Sequence, residues 1–364
     1  MSAEKTEQRK AEHIRICLEE KAQAKNVTAG FEDVKFVHRA LPEVNREDIS
    51  LSTVFLKKTF SAPLIVGAMT GGTEEAVTIN QNIAMAVEKL GLGMGLGSQR
   101  AAIENCALER TFAVARKAAP DAFLIANIGG IQLVHGYGVK EVRKVVEMID
   151  ADAVAIHLNA LQEAVQPEGQ TSFKGVLAKI GEVASKLDKP VIVKETGAGI
   201  SAEDAEVLKN AGVAAIDVGG VGGTSFAAVE YYRGEKVLGE AFWDWGIPTV
   251  ASIVEVVQSV KLPVIASGGI RSGVDMAKAL ALGANLTSII QPVLETAVKS
   301  SEATEEFLLG LINELRNVLL LVGAKNVADL ASVPLVICNE IAEWLKIRGF
   351  NLEEYALRGG VFYS

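Results

Sequence analysis

From Ala62 to about Ile290 the sequence alternates short apolar runs with helical patterns, and this alternation constrains the fold more than any single motif does. The runs are APLIVGAM, GMGLG, FLIANIGG, AVAIHLN, PVIVKE, AAIDVGG, PVIASGG and LTSII. They lack the apolar–polar alternation of a strand with one wet face. Between them lie segments such as INQNIAMAVEKLG, VKEVRKVVEMI, KGVLAKIGEVASKL, AEDAEVLKNAG, TVASIVEVVQSV and GVDMAKALALG, with apolar residues at helical spacing and glycine after several of them. Strands apolar on both faces belong to a parallel sheet covered by helices, and eight βα units close it into an α/β (β/α)8 TIM barrel. The expected organisation is an N-terminal arm with a lid or floor segment over 1–61, the barrel over 62–323 and a C-terminal helical extension over 324–364.

The flanking segments read less regularly. Residues 1 to about 30 suit a helix rich in both charge signs, whose few apolar residues are Ile14, Ile16, Cys17 and Leu18. On it Arg9 and His13 share a face with Lys10 beside them, an arrangement able to clamp an anion. STVFLKKTF suits a strand or hairpin arm, and a tail helix is expected around Leu335 to Leu345.

Chemistry in such barrels sits at the C-terminal strand ends, so the run endings form one rim. It holds Met69, Thr70, Ser98, Gln99, Arg100, Asn127, His157, Asn159, Lys194, Glu195, Gly219, Gly220 and Ser267 to Gly269. In AVAIHLNALQE a buried strand ends abruptly in His157, Asn159, Gln162 and Glu163. Each alone suits a strand end or helix cap; the cluster at a barrel mouth points to function. SGGIRSG, Ser267 to Gly273, leads into a helix whose N-terminus offers N–H donors to a phosphate, and GGVGGTS, Gly219 to Ser225, offers a second set. Lys194 needs a partner: either Glu195 in a structural ion pair, or a ligand such as an electron-rich heterocycle whose negative charge it stabilises. Glu163 suits Mg2+ only if substrate phosphates complete the shell. GAGISA, Gly197 to Ala202, with Asp217 about twenty residues on, mimics a dinucleotide fingerprint, but it falls in the fifth of eight similar units rather than the first turn of an open sheet.

Composition excludes several classes. A net charge of −9 and a pI near 5.2 argue against a nucleic-acid surface while leaving room for small anions. Three dispersed cysteines, Cys17, Cys106 and Cys338, suggest neither a disulfide framework nor a zinc site. The charged N-terminus lacks the apolar core of a signal peptide and no run has the length of a membrane span, so a cytoplasmic protein with no membrane partner is expected.

Taken in order, RKAEH (Arg9 to His13), AMTGG (Ala68 to Gly72), GSQR (Gly97 to Arg100), ANIGG (Ala126 to Gly130), HLNALQE (His157 to Glu163), VKETGAGIS (Val193 to Ser201), GGVGGTS and GGIRSG (Gly268 to Gly273) resemble the type 2 isopentenyl diphosphate isomerases, FMN-dependent barrels related to the hydroxy-acid oxidases. The glycine loops are shared by many FMN barrels; RKAEH joined to HLNALQE is specific to the isomerases. The resemblance implies a 1,3-allylic proton shift from isopentenyl diphosphate to dimethylallyl diphosphate, requiring reduced FMN, Mg2+ and NADPH or another reductant. It implies that Ala68, Met69, Thr70, Ser98, Asn127, Lys194, Thr224, Gly269, Ile270, Arg271, Ile290 and Gln291 hold FMN. Arg9, Lys10, His13, Ser98, Gln99, Arg100, His157, Asn159 and Gln162 form the substrate set, with Gln162 as catalytic orienter or proton relay and Glu163 as the Mg2+ ligand. A homo-oligomer, tetrameric or larger, is expected. Gln291 departs from the small or apolar residue usual before the family's proline.

Two other functions compete. An FMN-dependent 2-hydroxy-acid oxidase or dehydrogenase resembles this barrel but needs a His followed by Gly-Gly and an Arg near the sixth or seventh strand, where the loops DVGGVGGTS and ASGGIRSG contain no His. A flavin- or phosphate-binding barrel without catalysis would tolerate loss of Gln162 and Glu163.

Overall fold

The computed structural model describes residues 3–359. The N-terminal helix α1 spans Ala3–Glu19. Short strands follow: β1 (Val34–Phe36), β2 (Thr53–Phe55) and β3 (Lys58–Phe60). The eight expected runs form β4 (Leu64–Val66), β5 (Gly93–Gly95), β6 (Phe123–Gly129), β7 (Ala153–Leu158), β8 (Val191–Glu195), β9 (Ala215–Asp217), β10 (Val264–Ser267) and β11 (Leu286–Ile289). All pair in parallel and β11 returns to β4, closing the barrel.

The alternation of side chains along each strand divides the core in two. Leu64, Val66, Leu124, Ala126, Val154, Ile156, Val191, Val193, Ile216, Val264 and Ile289 belong to the cluster shared with the surrounding helices. Their sequence neighbours Ile65, Phe123, Ile125, Ala153, Ala155, Ile192, Ala215, Ile265 and Leu286 fill the barrel. Both faces are buried, which is why the runs show no polar alternation.

The β2–β3 hairpin is a floor. It turns through Leu56 and Lys57, both at positive φ, and inserts Phe55 and Phe60 into the interior cluster. The Phe60 ring lies 5.5 Å from that of Phe123.

Two flanking expectations need correction. The helix of the arm stops at Glu19, and residues 20–30 run on irregularly because tertiary pairing holds them, as described below. In the tail, Leu335–Ile337 is strand β12, paired antiparallel with β1; the helix is Asn339–Ile347. The N- and C-terminal segments therefore share a two-stranded sheet.

Phe60→Ala is expected to destabilise the fold by about 3–5 kcal/mol through loss of buried area and a residual cavity. Urea unfolding followed by circular dichroism measures it; an unchanged midpoint would show that the floor carries no packing energy.

Candidate active site

Two residues beyond the apolar interior layer, the inward positions change character. Ile65, Ile125, Ala155, Ile192, Ala215, Ile265 and Leu286 are followed at i+2 by Gly67, Asn127, His157, Lys194, Asp217, Ser267 and Ser288. Side chains two apart on a strand share a face, so these residues form a polar top layer at the C-terminal mouth. Asn127, Lys194, Asp217, Ser267 and Ser288 are all buried. Burial of so many polar groups is unfavourable unless neighbours or a ligand satisfy them.

Hydrogen bonds fix the state of His157. Asn127 donates through Nδ2 to the Leu96 carbonyl at 2.9 Å, which leaves Oδ1 toward His157 Nδ1 at 2.8 Å. Nδ1 therefore carries the proton. Burial, then Lys194, Lys10 and Arg9, push the imidazole pKa down to about 3. The ring is neutral and its Nε2 can only accept. To donate to a phosphate oxygen it must take up a proton, which an arriving anion favours.

Helix α1 closes the mouth from above, bringing Arg9, Lys10 and His13 to the same cavity as His157, Asn159, Gln162 and Glu163. Lys10 donates to the carbonyls of Gly71 (2.6 Å) and Ser98 (2.7 Å). Burial and the adjacent Arg9 push its pKa down to about 7. The helix Phe226–Arg233 anchors α1: fully buried Glu230 meets His13 Nε2 at 3.2 Å and accepts from Arg233 at 2.6 Å, while Arg233 also reaches Glu12 (3.1 Å) and Glu168 (3.0 Å). Glu230 and Arg233 were not among the expected site residues. They lie in an ordinary amphipathic helix, with no motif to mark them.

Glu163 is buried and accepts from Asn159 Nδ2 (3.1 Å), Gln166 Nε2 (2.9 Å) and the Gln170 N–H (2.6 Å). The amide oxygens of Asn159 and Gln166 have no hydrogen-bond partner among the described residues. A carboxylate beside two orphaned oxygens suits a hard cation. Among the described residues no group of three or more His, Cys, Asp or Glu side chains could hold a metal, so substrate oxygens or water would have to complete the shell. Gln162 Oε1 accepts from Asn159 at 3.1 Å, leaving its N–H donors for the cavity.

The glycine loops meet as expected, with one correction. A Cβ on Gly223 would lie 2.7 Å from the Gly269 nitrogen. The N–H groups of Gly223, Thr224, Gly269 and Ile270, all lining the cavity, have no acceptor among the described residues. The helix N-terminus itself is not free: the N–H groups of Arg271 and Ser272 donate to Asp275, and that of Gly273 donates to Glu314 at 2.6 Å. The N–H groups left open to an anion are therefore those of the loop before the helix. Residues 20–30 strap it down, with Ala24 N–H donating to the Gly223 carbonyl (3.0 Å), Ser225 N–H to the Ala22 carbonyl (2.8 Å) and Arg271 to Gln23 Oε1 (2.6 Å). Gly222, at φ +117°, lets Ala29 pack directly on the loop.

Most expected residues line the cavity, including Ala68, Met69, Thr70, Ser98, Arg100, Thr224, Ile290 and Gln291. Gln99 does not. It is fully buried, donates to the Val145 carbonyl at 2.9 Å and accepts from the Asn127 N–H at 3.0 Å, so it braces the strand end from behind. Lys194 makes no ion pair with Glu195: it donates to the Glu195 carbonyl at 3.0 Å, while the carboxylate accepts the N–H groups of Thr196, Gly197 and Ala198. Gln291 turns toward α1 and donates to the Cys17 carbonyl at 3.3 Å. The fingerprint at Gly197 is a loop of the closed barrel, and Asp217 points into the interior.

The fold is a closed barrel of the FMN-dependent dehydrogenase class, the family that residues 138–336 match. Solved structures share the fold: a flavocytochrome b2 variant superposes with a TM-score of 0.66 at 17% identity, covering 97% of this chain and 88% of that one. A mandelate oxidase variant with a monooxide FMN adduct gives 0.63 at 18% identity, covering 89% and 95%. Closer in sequence are the isopentenyl-diphosphate delta-isomerases of Methanosarcina barkeri, 49% identical with 98% of this chain and 99% of the relative covered, and of Methanothermobacter thermautotrophicus, 49% identical with 96% and 99% covered. The chain belongs to the isopentenyl-diphosphate delta-isomerase family.

An anion bound beside Lys10 raises its lowered pKa, so binding takes up a proton. Calorimetry of inorganic pyrophosphate binding in buffers of different ionisation heat is expected to show uptake by Lys10 of up to about half a proton at pH 7 and more at pH 8. Lys10→Met reduces it; uptake unchanged in that variant would place the titrating group elsewhere.

Proposed function

We propose that the protein converts isopentenyl diphosphate to dimethylallyl diphosphate by a 1,3-allylic proton shift, with reduced FMN and Mg2+ at the barrel mouth. The observation that carries this is the meeting in one cavity of Arg9, Lys10 and His13 from α1 with His157, Asn159, Gln162 and Glu163 from the end of β7 and its following loop and helix. The donor sets fit both groups. Four unpaired loop N–H groups and Lys194 suit a phosphorylated flavin, and Glu163 beside two orphaned amide oxygens suits Mg2+.

An unactivated alkene has no acidic proton, so the shift must begin by protonation to a tertiary cation, which needs negative charge close by and water kept out. Reduced FMN supplies that electron-rich ring and an exchangeable proton at N5, without net redox, once NADPH or another reductant has reduced it. Glu163 would hold Mg2+, which would offset diphosphate charge. The chain's own residues do the rest. Lys194 would stabilise negative charge on the ring. Arg9, Lys10 and Arg100 bind the diphosphate, with Asn159 donating and His157 donating once protonated. Gln162 turns its N–H groups toward the substrate as orienter, since a neutral amide is a poor acid. Helix α1 shields the cation from water. A 2-hydroxy-acid oxidase would lack its base here, because neither Gly219–Ser225 nor Ser267–Gly273 contains a histidine.

Anaerobic incubation with FMN, Mg2+ and isopentenyl diphosphate, with and without dithionite, tests the proposal by product analysis. Dimethylallyl diphosphate is expected only in the reduced sample. Gln162→Ala should lower kcat by about 100-fold or more, and Glu163→Ala should shift the Mg2+ requirement upward. Bound, reducible FMN with no allylic product would overturn the isomerase.

A further inference from the structure

Asp217 is the one acidic residue of the polar top layer, and the mechanism above gives it no task. It sits on β9 in register with Lys194 of β8, so the two side chains share the barrel interior on adjacent strands. It is 5% exposed. Its carboxylate accepts the hydroxyl of Ser267, whose Oγ in turn accepts the Gly219 N–H at 3.1 Å. That second bond fixes the Ser267 proton on Asp217. Ser267 and Lys194 both line the cavity; Asp217 lies just behind them.

Neither Lys194 nor Asp217 forms an ion pair within 4.0 Å among the described residues. Among the described residues Lys194 has one hydrogen-bond acceptor, the Glu195 carbonyl, which leaves N–H donors for the mouth. The charges are thus separated but share a low-dielectric interior, where each sets the field the other presents. Burial pushes the Asp217 carboxyl above its usual range, and Lys194, the Ser267 hydroxyl and the Gly219 N–H oppose that rise.

We propose that Asp217, oriented by Ser267, is a positioning residue that partly offsets the charge of Lys194 and so limits how strongly the mouth favours the anionic reduced cofactor. The proposal rests on the flavin reading of the site. An unopposed Lys194 would over-stabilise negative charge on the ring, holding density that the protonation step must share with the substrate. Asp217 keeps the cation while reducing its pull.

The test is the affinity of the apoprotein for oxidised and for reduced FMN, measured anaerobically by fluorescence and absorbance titration in the wild type and in Asp217→Asn. The isosteric variant removes the negative charge and retains an oxygen for Ser267. Reduced FMN is expected to gain about tenfold in affinity relative to oxidised FMN, as loss of one nearby charge at an effective dielectric of about 20 implies. The potential of the bound flavin should become more positive to match. Asp217→Ser, smaller and uncharged, should move the ratio the same way if the asparagine variant folds poorly. A ratio equal to the wild type's, or equal loss of both forms as a purely structural role predicts, overturns the proposal and leaves the flavin reading standing. Failure of the wild type to bind FMN in either form overturns both.

Discussion

Everything in this molecule depends on what fills the inward positions of a closed barrel. Each strand turns alternate side chains into a space with no exit at the floor, where Phe55 and Phe60 join Ile65, Phe123, Ile192 and Leu286 in a sealed apolar layer. One step further up, the same strands place Asn127, His157, Lys194, Asp217, Ser267 and Ser288. Ser288 Oγ has no hydrogen-bond partner among the described residues. The strand period that packs the lower layer thus also aims the upper one, and hydrogen bonds within the layer set its protonation, as Asn127 does for His157.

The second constraint is electrostatic. Arg9, Lys10, Arg100 and Lys194 crowd one cavity under a helix lid, and the pKa of Lys10 and of His157 is depressed first by burial and then by this crowding of cations. A polyanion resolves it. The counter-charges lie behind the cations: Glu230, Glu168 and Glu12 gather on Arg233 and His13 to hold α1 in place, and Glu104 holds Arg100 at 2.7 Å. The lid is fixed by ion pairs at its back, with Arg9 reaching Glu168 at 4.0 Å, while Arg9, Lys10 and His13 still line the cavity.

The eight barrel strands were legible in the sequence because parallel strands buried on both faces read as unbroken apolar runs. The mouth was legible because chemistry follows strand ends. What escaped was set by tertiary contact. The helix of the arm ends at Glu19 without a Gly or Pro stop; the segment beyond it is held by pairing with Gly223 and Ser225, some two hundred residues away. Gln99 stood next to Ser98 on the rim, but the turn of the backbone sends it inward to brace Asn127. Asp217 looked like the acidic end of a dinucleotide fingerprint, and only the register with Lys194 reveals its place in the top layer. Glu230 and Arg233 carry no motif.

The account stands on the claim that the polar top layer is the floor of a cofactor site whose phosphate rests on the two glycine loops. A crystal structure of the protein with FMN bound tests this most directly. The account predicts the phosphate about 3 Å from the N–H groups of Gly223, Thr224, Gly269 and Ile270, with the ring over the top layer and Lys194 against its edge. A flavin bound elsewhere, or a ring held away from Lys194 with the top layer filled by water, would contradict it.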